Sequence, residues 1–269
     1  MKYPLQETER ALRWYGVQAE FYGSMTRWML VDAGIRPGMN VLDIGTGGGD
    51  VAVILSDLVG PTGRVLAIDI SGEAISGAKT RVTQKNVEFM QADLNLLNFP
   101  RSFDAVVGRF VLMYAANPSL TLSRLARLVR DGGLVAFLEP DYSGTRSSEQ
   151  CPLCTKVQGV IESILQRSGA DTKMGLKLYH AFADAGLQNP ILRCAAAIGG
   201  GSDFAGYAVA AGFLKLLVPL AAKCGLSVSD DLDLDNIEQR MRTEVEESGG
   251  AIVFPSIIGA WAHVTDDGA

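Results

Sequence analysis

The sequence predicts an α/β fold with a doubly wound parallel sheet, and three observations carry that prediction. Between residues 40 and 138, short apolar runs alternate with segments of helical periodicity. Each run has about the length of a strand covered on both faces, as in a parallel sheet. A glycine-rich turn, Gly45-Thr46-Gly47-Gly48-Gly49, stands at the first strand-to-helix junction.

In chain order, residues 5–33 have helical spacing. Asn40–Ile44 reads as a strand, 50–59 as a helix, Arg64–Asp69 as a strand and 71–84 as a helix. Val87–Met90 and Phe103–Val107 are the third and fourth strands. Asn117 before Pro118 is an N-cap followed by proline at the first helical position, opening a helix over 118–130 that Gly132-Gly133 closes. Leu134–Leu138 is the fifth strand. Residues 151–186 then read as helices, 190–198 as a strand and 203–247 as further helices. Residues 251–264 return to a β-rich composition, where Pro255 predicts an edge position or a bulge. The organisation expected is one domain over 1–269, with a helical cap at 1–33, a core over 34–200 and 251–264, and a helical insertion at 203–247.

Composition narrows the function. The 269 residues are 48% hydrophobic and 20% charged, which excludes disorder, collagen and coiled coil. A net charge of −6 argues against a nucleic-acid partner or an anionic membrane surface, both of which need a basic patch. The N-terminal MKYPLQETERALRW has charges where a signal peptide needs apolar residues. Ala208–Leu226 is interrupted by Lys215, Pro219 and Lys223, short of the ~18 clean apolar residues of a membrane span. Four cysteines in a chain this long make no disulfide framework, so a cytoplasmic setting is expected.

Glycines in the first turn let a backbone approach a ligand closely, and the helix N-terminus that follows favours a negative group. Asp69 ends the second strand, and an ionised carboxylate, being acceptor-only, suits two ribose hydroxyls. Together these point to a nucleoside-containing cofactor at the switch point of the sheet. Gly47-Gly48-Gly49-Asp50-Val51-Ala52 also satisfies the relaxed dinucleotide pattern, so the loop alone leaves a nicotinamide cofactor open. Three features count against it. Asp43 places a fixed negative charge two residues before Gly45, suited to a ligand ammonium and opposed to a pyrophosphate. In Gln91-Ala92-Asp93-Leu94 the Asp93 carboxylate can accept from an adenine amine while the Leu94 N–H donates to the ring. No tyrosine is followed four residues later by lysine, which removes a common dehydrogenase signature.

These motifs resemble the class I S-adenosylmethionine-dependent methyltransferases, in the small-molecule branch that includes quinone-biosynthesis and natural-product methyltransferases. The resemblance runs from Val41 to Leu138 through DIGTGGGD, AIDIS, QADL, FDAVVGRFVLMY and LVRDGGLVAFLEP. It implies a Rossmann-like, seven-stranded, mostly parallel sheet with helices on both faces and a last strand, at about 251–264, inserted antiparallel. It also implies S-adenosyl-L-methionine as cofactor, under a lid made by the helical additions at both ends. Carried over by position, Gly45, Thr46, Gly47 and Gly49 would line its methionyl and ribose portions. Asp69 would take the ribose hydroxyls, Ile70 the adenine face, and Asp93 and Leu94 the adenine edge. Arg109 falls where the family contacts the methionyl end, and Gln18 and Tyr22 would close over it from the N-terminal helix.

Methyl transfer from a sulfonium needs alignment and exclusion of water, and a general base only for a weak nucleophile. Tyr114, Glu139 and Asp141 are base candidates by position beyond strands four and five, with His180 reaching from a helix. Phe204, Tyr207, Phe213, Leu214 and Leu217 predict an apolar acceptor pocket between cap and insertion. The expected function is methylation of a small, apolar or aromatic organic acceptor. A protein that binds the cofactor without transferring methyl, and a nicotinamide oxidoreductase, are the competing readings. The expected partners are a small-molecule acceptor, no nucleic acid and no membrane, with the apolar helix over 204–226 serving as a lid or a homodimer contact.

Two motifs dissolve on inspection. Cys151-Pro-Leu-Cys154 has no second pair at ligand spacing, so it reads as the apolar start of a helix. Asp231-Leu-Asp233-Leu-Asp235-Asn236 begins like a calcium loop, but Asn236 stands where glycine is required and Arg242 where the bidentate glutamate belongs. With two histidines, His180 and His263, no metal site is expected.

Overall fold

The computed structural model describes residues 9–97 and 99–265, so positions 5–8 of the expected N-terminal helix lie outside the described residues. In order the elements are α1 (Glu9–Ala33), β1 (Asn40–Ile44), α2 (Asp50–Val59), β2 (Arg64–Asp69), α3 (Gly72–Arg81), β3 (Val87–Gln91), β4 (Phe103–Arg109), α4 (Pro118–Ala126) and β5 (Val129–Asp141). They continue as β6 (Arg146–Ser147), α5 (Pro152–Arg167), α6 (Met174–Asp184), β7 (Ile191–Ala195), β8 (Ile198–Gly199), α7 (Gly206–Lys223), α8 (Ile237–Ser248), β9 (Ile252–Val253) and β10 (Ser256–His263).

The main sheet has seven strands in the order β3-β2-β1-β4-β5-β10-β7. Its first five are parallel, and β10 runs antiparallel to both β5 and β7. Residues adjacent along a strand point to opposite faces. Val41 therefore joins a core with α1 and α2 (Met29, Leu30, Leu55), while Leu42 joins one with α5, α6 and α7 (Ile161, Phe182, Leu214). Both faces of the central strands are covered, which is why they are mainly apolar. The chain departs in opposite directions after β1 and β4, so their carboxyl ends bound a crevice. β6, β9 and β8 form a separate three-stranded antiparallel sheet beside it.

The structure departs from the sequence reading at four places. Helix α4 stops at Ala126 rather than 130, because Val129 already pairs with Phe103 of β4; the irregularity before Ala105 pairs with Leu134 absorbs the Gly132-Gly133 turn. Strand β5 runs on to Asp141, held by β10 along Leu134–Asp141. The expected strand over 190–198 is split, since β8 leaves the main sheet for the small one. Pro255 is neither at an edge nor in a bulge. It stands between β9 and β10, where the chain changes sheets and a missing N–H breaks no ladder. Among the described residues α7 is as long and apolar as a membrane span, and more than half of it is buried in the protein, against α1, α5 and α8.

Candidate active site

At the first turn, Gly45, Gly47 and Gly49 adopt φ values of 66°, 51° and 85°, the left-handed region that favours glycine. The turn is fixed by its neighbours: Thr46 N donates to Ile68 O (3.0 Å) and Gly47 N to Asp69 Oδ2 (2.9 Å). Ser71 N donates to the other Asp69 oxygen at 2.9 Å. Burial raises the Asp69 pKa while these N–H groups act against the rise, and the carboxylate retains lone pairs facing the crevice. A Cβ at Gly48 would lie 2.8 Å from Tyr15 Cβ and collide with the Arg81 guanidinium, so glycine is what lets α1 lie directly over the turn.

Beneath the turn lies a buried charge network. Asp50, at the start of α2, pairs with Arg81 (3.0 Å) and Arg109 (3.7 Å), and Arg109 donates to Thr26 Oγ1 on α1 (3.0 Å). Burial lowers the Arg109 pKa against the pull of Asp50 and Asp43. Asp43 is 1% exposed, and neither of its carboxylate oxygens has a hydrogen-bond partner among the described residues. Burial pushes its pKa up to about 7, although Thr46 and Arg109 act to lower it.

The chain then turns sharply after β4. Phe110 has φ 59°, unusual for a residue with a side chain, and its N–H donates to Leu138 O. The next three backbone N–H groups, of Val111, Leu112 and Met113, all donate to the Glu139 carboxylate at 2.7–3.1 Å. That clamp fixes Met113 and Tyr114 at the rim of the crevice. Burial pushes the Glu139 pKa up to about 8 while the three donors favour its charged form.

One cavity connects these parts, with about 1480 Å³ of empty space including its mouth. Of the expected cofactor residues, Gln18, Tyr22, Gly45, Thr46, Gly47, Asp69, Ile70, Asp93, Leu94 and Arg109 line it. Two do not. Asp43 sits behind the turn, and Gly49 caps α2, where a Cβ would press within 2.8 Å of Val82. Of the base candidates only Tyr114 lines the cavity. Glu139 is the fully buried clamp just described. Asp141 caps the turn after β5 through Ser143 N (3.1 Å) and Ser143 Oγ. His180 lies exposed on the outer face of α6, because Leu178, Ala181 and Phe182 take the buried stripe. These three are corrected from base candidates to residues outside the cavity wall.

The acceptor-pocket expectation is corrected in the same way. On α7 the cavity is lined by Val209, Ala210 and Phe213, whereas Tyr207, Leu214 and Leu217 are fully buried in the core. Phe204 lies outside the lining, in a ring cluster with Phe21 (tilted) and Phe254 (edge-on). Sequence reasoning missed Trp14, Tyr142, Gln158 and Phe254, all of which line the cavity. Trp14 had a visible signal: Trp14, Gln18 and Tyr22 repeat every four residues along one helical stripe. Gln158 sits on a similar stripe with Ile161 and Leu165, and nothing in sequence says that the stripe faces a ligand. Phe254 arrives only because the β9–β10 junction folds over the cavity mouth.

A Gly-rich turn, a carboxylate ending β2, a second acid after β3 and a cavity at the switch point define an α/β protein built to hold a nucleoside cofactor. The chain belongs to the S-adenosylmethionine-dependent methyltransferases: the methyltransferase-domain family matches residues 35–186. It is 37% identical over 118 residues to the ubiquinone/menaquinone biosynthesis C-methyltransferase UbiE of Pseudomonas fluorescens, covering 42% of this chain and 46% of that protein. The match thus spans about half the length of such curated relatives. Among solved structures it is similar to a methyltransferase of Bacillus halodurans (TM-score 0.59, 18% identity, 90% of this chain and 100% of that one). It is also similar to Haemonchus contortus phosphoethanolamine N-methyltransferase 2, solved with phosphomonomethylethanolamine and S-adenosylhomocysteine (TM-score 0.58, 16% identity, 94% of this chain and 57% of that one). At these identities the structural likenesses speak for the fold.

Proposed function

We propose that this protein methylates a small, apolar or aromatic acceptor using S-adenosylmethionine. One observation supports the reading above others: a single cavity runs from the glycine turn and Asp69 to apolar walls contributed by α5, α7 and the β9–β10 junction. The residues fit the cofactor. The buried oxygens of Asp43 and Thr46, which no described group satisfies, supply polar character at the turn. Asp69, Ile70, Asp93 and Leu94 would hold its nucleoside, and Thr46 and Gly47 the portion nearer the sulfur. When bound, the cofactor supplies an activated methyl group on a sulfonium.

The chain's own contribution is to align the acceptor and exclude water. Trp14 stacks on Phe213 with ring centroids 4.6 Å apart, and its indole N–H donates to Val209 O, fastening α1 to α7 over the cavity. Tyr22 packs edge-on against Phe110, and burial raises its pKa against the opposing charge of Arg109, keeping it a neutral phenol. Tyr114, the base candidate that lines the cavity, would take the proton from a hydroxyl acceptor. All four cysteines are free thiols, which supports a cytoplasmic setting.

Calorimetric titration with S-adenosylhomocysteine tests the reading. Saturable binding is expected, and Asp69→Asn should weaken it about tenfold, within the ~1–3 kcal/mol of a charge-assisted hydrogen bond. A protein that ignores this ligand is not a methyltransferase of this kind.

A further inference from the structure

The cavity has two chemically different ends. Asp50, Asp69, Asp93 and Arg109 line its β2–β4 end. Beyond β4 the lining is Met113, Tyr114, Pro140 and Tyr142, faced by Ile161 and Leu165 of α5, Phe213 of α7, and Phe254, Pro255 and Ile257. Adjacent strands lie about 4.8 Å apart, so the end of β5, three steps from β2, is about 14 Å from Asp69. No carboxylate, ammonium, guanidinium or imidazole lines this second compartment among the described residues.

One amide interrupts its apolar wall. Gln158 is 7% exposed, lines the cavity, and has no hydrogen-bond partner among the described residues. Its neighbours on the same helical stripe, Ile161 and Leu165, are nearly inaccessible. Its amide is not among the buried groups left without a partner, so it opens onto the cavity, where a leucine would simply extend the apolar wall. The Tyr142 hydroxyl, at the end of β5, likewise has no hydrogen-bond partner among the described residues, and its ring is 9% exposed. An amide offers a donor and an acceptor, and a phenol does the same. Together they match a neutral oxygen function on an otherwise apolar molecule, and neither can neutralise a full charge.

We propose that Gln158, with Tyr142, is the specificity-determining group of the acceptor compartment, selecting an uncharged aromatic molecule that carries a hydroxyl or carbonyl oxygen and rejecting carboxylates and ammonium compounds. The inference rests on the methyltransferase reading and deepens it. A site built to hydrogen-bond a ligand oxygen discriminates strongly against the analogue lacking it, because its own polar groups are then left unpaired.

The test titrates 2-naphthol, naphthalene, 2-naphthoate and 2-naphthylmethylammonium into protein saturated with S-adenosylhomocysteine, followed by calorimetry or tryptophan fluorescence. 2-Naphthol is expected to bind at least tenfold more tightly than each of the other three. Gln158→Leu should lower 2-naphthol affinity about tenfold, to the level of naphthalene, while S-adenosylhomocysteine affinity stays within twofold of the parent. Equal or tighter binding of the carboxylate or the ammonium compound overturns the proposal on the parent protein alone, whether or not the variant folds. So does a Gln158→Leu protein that binds S-adenosylhomocysteine normally and keeps the preference for 2-naphthol. Failure of S-adenosylhomocysteine to bind the parent overturns the methyltransferase reading and this inference together, whereas normal binding with no 2-naphthol preference overturns this inference alone.

Discussion

Asp43 and Glu139 are both buried acids, and the structure uses them differently. Glu139 holds three backbone N–H groups, so Glu139→Ala leaves three buried donors unpaired and should cost roughly 3 kcal/mol or more in urea denaturation. Asp43 has no such donors, and its folded pKa of about 7 lies above the ordinary aspartate value of 3.8. Between those values the folded state binds the proton and the unfolded state does not. The stability contributed by the protonated form is therefore lost as pH rises from about 4 through 7. The stability of the parent relative to Asp43→Asn should increase as pH falls from 8 to 5, read from denaturation midpoints at each pH, and a pH-independent difference would remove the raised pKa. The placement of Asp69 and Asp93 was legible in the sequence because one ends a strand and the other follows one closely, and both line the cavity. Glu139 was not: its partners lie 26–28 residues earlier and are main-chain groups, which no side-chain pattern reports.

At the scale of elements, the first four strands of the parallel half were legible to within a residue or two, since apolar runs and turn glycines mark them directly, whereas β5 (Val129–Asp141) exceeds the expected Leu134–Leu138 at both ends. The faces of the helices were less so. Helix α7 is apolar almost all round, so periodicity could not tell that Val209, Ala210 and Phe213 look into the cavity while Tyr207, Leu214 and Leu217 look into the core. The contact between α1 and α7 is concentrated on Trp14. Trp14→Ala should cost about 3–5 kcal/mol of stability and speed release of S-adenosylhomocysteine, measured by denaturation and stopped flow. Gly48→Ala forces a methyl group against Tyr15 and Arg81. An overpacking cost of about 1–3 kcal/mol is expected, together with weaker ligand binding as α1 is lifted from the turn.

Across the whole molecule, the sheet order places residues distant in sequence side by side. Strand β10 lies between β5 and β7 and pairs with both, so it joins two parts of the sheet that otherwise share no ladder. Removing residues 251–265 should abolish cooperative unfolding rather than merely lower its midpoint, as seen by circular dichroism on heating. The antiparallel insertion follows from the family resemblance, but the sheet change at Pro255 does not, since proline signals a break without saying where the chain goes next. This arrangement also has a temporal consequence. A ribosome must deliver residue 263 before the ladder along Leu134–Asp141 can close. Until then β5 presents an open, apolar border to solvent, so the nascent polypeptide should depend on chaperone protection until that strand is made.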